Sequence, residues 1–95
     1  MIDYAVLAGL VFHNELFKSL DLDTKHFSNP KTQMLFEALT GTYQESGAVD
    51  IPILATTLQK RWPQAEWWDD LEALNETVPA VANFAVYQDK LKEAY

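Results

Sequence analysis

The 95-residue sequence contains no cysteine, only three glycines and four prolines, and half as many basic as acidic residues. The absence of cysteine excludes disulfide scaffolds, thiolate zinc sites and cysteine nucleophiles. The low content of glycine and proline excludes collagen-like and linker sequences. Seven Lys and Arg against 14 Asp and Glu give a net charge of −7, which disfavours direct contact with nucleic acid.

No segment of the sequence is typical of a membrane protein or an exported one. The apolar run at residues 4–12 is too short to span a bilayer, and Asp3 stands where a signal peptide would carry Lys or Arg. Hydrophobic residues make up 48% of the sequence and charged residues 22%, a balance typical of globular proteins. We therefore predict one small globular domain over residues 1–95, located in the cytoplasm.

Capping residues and prolines divide the chain into helical segments. Asn29 and Pro30 form a start signal for a helix that Gly47 would end. Asp50 would cap the next helix, and Pro63 would stop it because the residue before a proline avoids helical dihedral angles. No segment shows sustained alternation of apolar and polar residues, so no strand is predicted. The sequence therefore predicts an all-α fold, a compact bundle of five to six short helices.

Aromatic and acidic residues are concentrated in one part of the sequence. Trp62, Trp67 and Trp68 lie within seven residues, and no Lys or Arg occurs between residues 62 and 89. Trp67 shares a helical stripe with Leu71 and Leu74, whereas Trp68 is rotated from it by about 100°. Either Trp68 lies over a neighbouring helix, or one indole is a partly exposed anchor for a protein partner with an acidic rim. The candidate interaction residues are Trp67, Trp68, Glu66, Asp69, Asp70 and Glu72.

Catalytic signals in the sequence are weak. The three glycines lack the spacing of a dinucleotide or phosphate-binding loop, and no serine has the flanking glycines of a nucleophile elbow. Asp21, Asp23 and His26 offer metal-ligand chemistry, but a solvated turn between two helices explains them better, and a metal enzyme is kept as a third hypothesis. The adjacent Asp69 and Asp70 point to different sides of a helix, which disfavours a catalytic carboxylate pair. We therefore assign no catalytic, metal or cofactor residue.

Four segments carry a family resemblance that covers essentially the whole chain. They are an apolar helix ending in asparagine (AVLAGLVFHN, residues 5–14), FSNP followed by MLFEAL (27–30 and 34–39), the turn GAVD (47–50), and VPAVAN followed by a tyrosine (78–83 and 87). In this order and at this spacing they resemble the N-terminal domain of the DnaB-family replicative DNA helicases. The chain departs from the family pattern at residues 32–33, where a basic pair is common, and at residues 65–68, where Gly-Gly is usual.

The resemblance implies the compact helical head of a hexameric ring helicase, and this sequence lacks the RecA-like motor domain that would bind ATP and Mg²⁺. Such a head assembles around the ring and docks primase and helicase-loading proteins. We therefore expect primase, a helicase loader and other helicase subunits as partners. The short lead before the first helix favours a phage or prophage member, and we expect Tyr95 to mark a truncation or a domain boundary. The alternative is a stand-alone helical adaptor or decoy that binds replisome proteins.

Helical periodicity and the resemblance together predict the positions that hold the fold together. Apolar residues recur at helical spacing in the predicted helices, and some residues at helix boundaries are predicted to be structural as well. The predicted core and structural positions are Leu7, Leu10, Phe27, Pro30, Leu35, Phe36, Leu39, Asp50, Leu54, Leu58, Leu71, Leu74, Pro79, Asn83, Phe84 and Tyr87.

Overall fold

The computed structural model describes residues 2–77 and 81–94, and these residues contain helices and no strand, which confirms the predicted all-α fold. The α-helices in these ranges are α1 (Ile2–Phe12), α2 (Pro30–Ser46), α3 (Ile51–Arg61), α4 (Trp68–Glu76) and α5 (Phe84–Ala94). Short 3₁₀ turns precede or connect them at Asn14–Ser19, Thr24–His26 and Val81–Asn83. The predicted break at Pro79 and the expected boundary at Tyr95 lie outside the described residues.

The boundaries of α2 and α3 are set by the local signals that the sequence predicted. The Oδ1 atom of Asn29 accepts a hydrogen bond at 2.7 Å from a backbone N–H in the first turn of α2, which Pro30 begins. The helix ends at Gly47, whose φ of 77° would strain any residue with a side chain. The Oδ1 atom of Asp50 accepts at 2.9 Å from the first turn of α3, and this helix ends before Pro63.

Helix α1 packs against three other α-helices of the bundle, α2, α4 and α5. Its residues 6–11 are buried, because this segment is apolar on every face and neighbouring helices cover it. Helix α3 packs against α2. Phe27, in the loop before α2, places its ring centroid 4.7 Å from that of Phe36. None of the described helices combines the length and the apolar character needed to cross a membrane.

The structure buries most of the predicted core positions. Leu71 and Tyr87 are partly buried against the core, whereas Pro30 and Asp50 are exposed at the starts of their helices. Asn83 requires a correction, because all three residues of the 3₁₀ turn before α5 are exposed and its side chain adds nothing to the core. The buried predicted positions are Leu7, Leu10, Phe27, Leu35, Phe36, Leu39, Leu54, Leu58, Leu74 and Phe84.

Two amide side chains tie loops to the helices. The Nδ2 atom of Asn14 donates to the backbone carbonyl of Val49 at 3.0 Å, and its Oδ1 accepts from the N–H of Val49 at 2.9 Å. The buried Gln88 of α5 accepts from the N–H of Asp21 at 2.6 Å and donates to the carbonyl of Ser19 at 3.1 Å. Neither amide was among the predicted structural positions. Both satisfy backbone groups that would otherwise lose their hydrogen-bonding partners near the core.

Candidate interaction site on helix α4

Two adjacent tryptophans at the start of α4 lie in opposite environments. Trp67 directly precedes the helix and is 5% exposed, and its ring centroid lies 6.0 Å from that of Trp62. The indole N–H of Trp67 donates to the backbone carbonyl of Trp62 at 3.4 Å. Trp68 is 69% exposed. Trp67 is therefore a core residue rather than an exposed anchor, because successive helical positions are rotated by about 100°.

A cation from α2 holds the buried side of this segment. The Nζ atom of Lys31 donates to Oδ2 of Asp70 at 2.8 Å and to the backbone carbonyl of Glu66. The same ammonium group lies 4.3 Å from the centroid of the Trp67 ring, in cation–π geometry. Lys31 was not among the predicted site residues, since 39 positions separate it from Asp70 and no local pattern links the two.

Asp70 belongs to this internal network and not to the solvent-exposed acidic surface. Its side chain is 12% exposed, and its Oδ1 accepts a hydrogen bond from the hydroxyl of Tyr4 at 2.7 Å. Burial raises the pKa of Tyr4 to about 12, and the hydrogen bond to Asp70 and the charges of Asp70 and Asp3 act in the same direction. The prediction of Asp70 as a partner contact is therefore corrected, because its spacing places it on the buried stripe with Trp67 and Leu74.

The exposed side of α4 borders a groove that it shares with α3. The groove has a volume of about 330 Å³ and is lined by Ile51, Ala55, Trp68, Leu71, Glu72 and Asn75. Leu71 and Ile51 are partly buried against the core, while Trp68 remains mostly open to solvent. The groove therefore offers an apolar surface beside an aromatic side chain that the fold itself does not use.

Exposed acidic side chains follow Trp68 along α4, and of these Glu72 lines the groove while Glu76 lines a separate depression beside Tyr4. Asp69, Glu72 and Glu76, which we call the acidic row, are exposed and succeed one another at spacings of three and four residues. Within the described residues, none of the three takes part in an ion pair. Glu66, in the loop before α4, is also exposed. Of the predicted interaction residues, the structure thus brings Trp68, Glu66, Asp69 and Glu72 to the surface.

The alternative metal site is not assembled. Among the residues that the structure describes, no three His, Asp or Glu side chains are placed to hold a metal ion. The carboxylate of Asp21 pairs with Lys92 of α5, and this hydrogen bond and charge lower the pKa of Asp21. The Nδ1 atom of His26 accepts from the backbone N–H of Asp23 at 2.9 Å. These three residues therefore stabilise a loop in this structure.

A second depression, of about 540 Å³, lies beside the loop between α3 and α4. It is lined by Met34, Arg61, Trp62, Pro63, Gln64 and Ala65. The guanidinium carbon of Arg61 lies 4.5 Å from the centroid of the Trp62 ring, so this aromatic ring is already engaged within the chain. Although this depression is larger, the groove beside Trp68 is the better candidate, because an interface anchor must be open to the partner.

Comparisons with known proteins address the whole chain. We found no significant match among curated proteins or among solved structures. The family model described as "DnaB-like helicase N terminal domain" matches residues 1–93. This match covers nearly the entire sequence and confirms the resemblance that the four sequence segments indicated. The chain therefore belongs to the DnaB-like helicase N-terminal domain family.

Proposed function

We propose that this chain is the protein-interaction and assembly domain of a hexameric, ATP-dependent replicative DNA helicase. In this role it supports assembly of the ring and docks primase and the helicase loader. Family membership supports the proposal, because the N-terminal domain is the non-catalytic part of these helicases. The net charge of −7 also favours protein partners over direct contact with nucleic acid.

The observation that carries the proposal is the exposed indole of Trp68 beside an apolar groove. Covering the indole is worth about 2 to 3 kcal/mol, and the fold leaves most of this free energy unused. Tryptophan is among the residues most enriched at the energetic centres of protein interfaces. A partner that covers Trp68 and fills the groove would therefore gain affinity from a surface that contributes little to folding.

Binding of purified primase and helicase loader from the same source tests this proposal. Titration calorimetry should show that Trp68→Ala weakens the binding of at least one of them by about 10- to 100-fold, as expected for an aromatic anchor. Val86→Ala is the matched control, because Val86 is an exposed apolar residue on α5 at 52% exposure, and it should change the affinity less than about twofold. Unchanged affinity of both proteins for the Trp68→Ala variant would refute the proposed site.

The stand-alone adaptor or decoy makes a different prediction about the first partner. It would use the same groove, but the helicase itself would be the protein that docks there. The intact mass of the native gene product separates these possibilities. A mass several times that of the 95 residues supports the helicase head, whereas a mass equal to theirs supports the adaptor.

A further inference from the structure

The two walls of the groove between α3 and α4 differ in charge. On the α4 wall, Glu72 lines the groove beside Trp68, while Asp69 is exposed next to Trp68 and Glu76 lines a separate depression beside Tyr4. Within the described residues no cation pairs with these carboxylates. The α3 wall presents Ile51 and Ala55, which carry no charge. Farther along α3, Ala55 also borders a neighbouring depression with Thr56, Gln59 and the cation Lys60. The groove is therefore apolar, with the carboxylate of Glu72 at its α4 edge and that of Asp69 nearby on the same helix.

We propose that this groove receives an amphipathic helix of a protein partner, with an apolar side chain against Trp68 and Leu71 and with Lys or Arg beside Glu72 and Asp69. The inference rests on the proposed function, since it names the chemistry of the partner that docks at that site. Helix α4 spans nine residues, about 13 Å, which matches about two and a half turns of a partner helix. A groove of about 330 Å³ accommodates one or two large side chains, which is how a helix anchors in a groove.

Charge complementarity selects a basic partner. An acidic helix would bring like charges together, and a neutral helix would partly desolvate the carboxylate of Glu72 without giving it a partner. Lys or Arg on the partner offsets this cost and accelerates encounter with a chain of net charge −7. A second copy of this chain fits the groove poorly, because a two-fold symmetric contact there would bring the two Glu72 carboxylates close together without a cation between them.

Three synthetic helical peptides test the proposal. They share one leucine stripe and carry lysine, glutamine or glutamate at the flanking positions. Titration calorimetry with the 95-residue chain should give the highest affinity for the lysine peptide and the lowest for the glutamate peptide, with a difference of at least about tenfold. Added salt should lower the affinity for the lysine peptide and leave the affinity for the glutamine peptide nearly unchanged, because salt screens charges and not apolar contacts.

Variants of the chain locate the binding site. Trp68→Ala should lower the affinity for the lysine peptide by about thirtyfold, because an aromatic anchor is lost. Glu72→Gln should weaken it by about threefold or more, whereas Glu37→Gln, which neutralises an exposed acid on α2, should leave it unchanged. Ala55→Lys tests the α3 wall independently of the indole. The added cation should weaken the lysine peptide and strengthen the glutamate peptide.

Several results would overturn the inference, and they are distinguishable from failure of the proposed function. Equal affinity for the three peptides would overturn the basic character of the partner. Absence of peptide binding, or binding that Trp68→Ala leaves unchanged, would overturn the helix in the groove even where primase or loader depends on Trp68. Dimerisation that Trp68→Ala abolishes in analytical ultracentrifugation would assign the groove to a second copy. The proposed function fails separately if primase and loader bind the Trp68→Ala variant normally.

Discussion

The two sides of the α4 segment contain the same kinds of residue and use them in opposite ways. On the inner side, Trp67 packs under Lys31 and beside Trp62, and Asp70 receives hydrogen bonds from Lys31 and Tyr4. On the outer side, Trp68 and the acidic row face solvent, without ion pairs within the residues that the structure describes. An indole next to a carboxylate therefore stabilises the fold on the inner side, whereas on the outer side the same pair is exposed and can contact a partner.

Helical phase, rather than composition, separates the two sides. Trp67, Asp70 and Leu74 follow one another at intervals of three and four residues, so they share the stripe that faces α1 and α2. Trp68 and Glu72 are four residues apart on another stripe, which faces the groove. A cluster of aromatic and acidic residues in a sequence thus contains both buried and exposed side chains. Their positions around the helix determine which of them a partner can contact.

The largest expected difference between the two sides concerns the tryptophans. Trp67→Ala should lower the free energy of unfolding by about 3 to 5 kcal/mol, because it leaves a cavity in the core and removes the ring under Lys31. Trp68→Ala should change it by less than about 0.5 kcal/mol, because the ring is mostly solvated. Denaturant unfolding of both variants measures the two values. Equal losses of unfolding free energy would show that both indoles stabilise the fold and that Trp68 is not reserved for a partner.

The next largest difference concerns the adjacent aspartates. Asp70→Asn should lower the free energy of unfolding by about 1 to 2 kcal/mol, because Lys31 loses its counter-charge and the first turn of α4 loses a favourable negative charge. The side chain of Lys31 is 36% exposed, so solvent screening keeps the loss below that of a fully buried ion pair. Asp69→Asn is the matched control and should change stability by less than about 0.5 kcal/mol.

Titration of Tyr4 provides a second measurement of the difference between Asp70 and Asp69. Tyr4 ionises near its ordinary pKa of 10.0 in the unfolded chain and at about 12 in the folded one, so its contribution to stability is complete below pH 10 and is lost as the pH rises to 12. Asp70→Asn should lower the pKa of Tyr4, since the carboxylate charge is removed while burial remains. Absorbance titration of tyrosinate should show this shift for Asp70→Asn and not for Asp69→Asn. Identical titration curves for the two variants would contradict the inner network.

The parts of the fold that the sequence predicted are those decided by neighbouring residues. The caps at Asn29 and Asp50 join atoms two or three positions apart, and Gly47 ends its helix through its own backbone angle. The interactions that the sequence did not predict join distant residues. Lys31 and Asp70 are 39 positions apart, and Tyr4 and Asp70 are 66 apart. Such pairs depend on how helices approach one another, which one sequence does not specify.

The candidate site was predicted by region and not by side chain, because the start of α4 has no readable signal. Trp67 occupies the capping position and makes no capping hydrogen bond, so no Ser, Thr, Asp or Asn stands at the N-cap to mark where the helix begins. Without that boundary, the sequence indicates one acidic surface and does not separate Asp70 from Asp69. The spacing of Asp70 from Trp67 and Leu74 was the signal that would have placed it on the buried stripe.

The smallest expected effect concerns the two ends of the acidic row. Glu76 lies in the last turn of α4, where a negative charge opposes the helix dipole. Glu76→Lys should raise the free energy of unfolding by about 0.5 kcal/mol, because lysine favours that end of the dipole and lies four residues after Glu72. Asp69→Lys, the same change of charge in the first turn, should lower it by a similar amount.

Thermal unfolding of these two variants measures opposite shifts if the acidic row interacts only with its own helix. A stabilisation by both would show that repulsion within a chain of net charge −7 exceeds the helix dipole. A destabilisation by Glu76→Lys would reveal an attractive partner for Glu76 within the fold, and the outer side would then resemble the inner one. With opposite shifts, the carboxylate of Glu76 slightly destabilises its own helix, and its negative charge remains available to a basic partner.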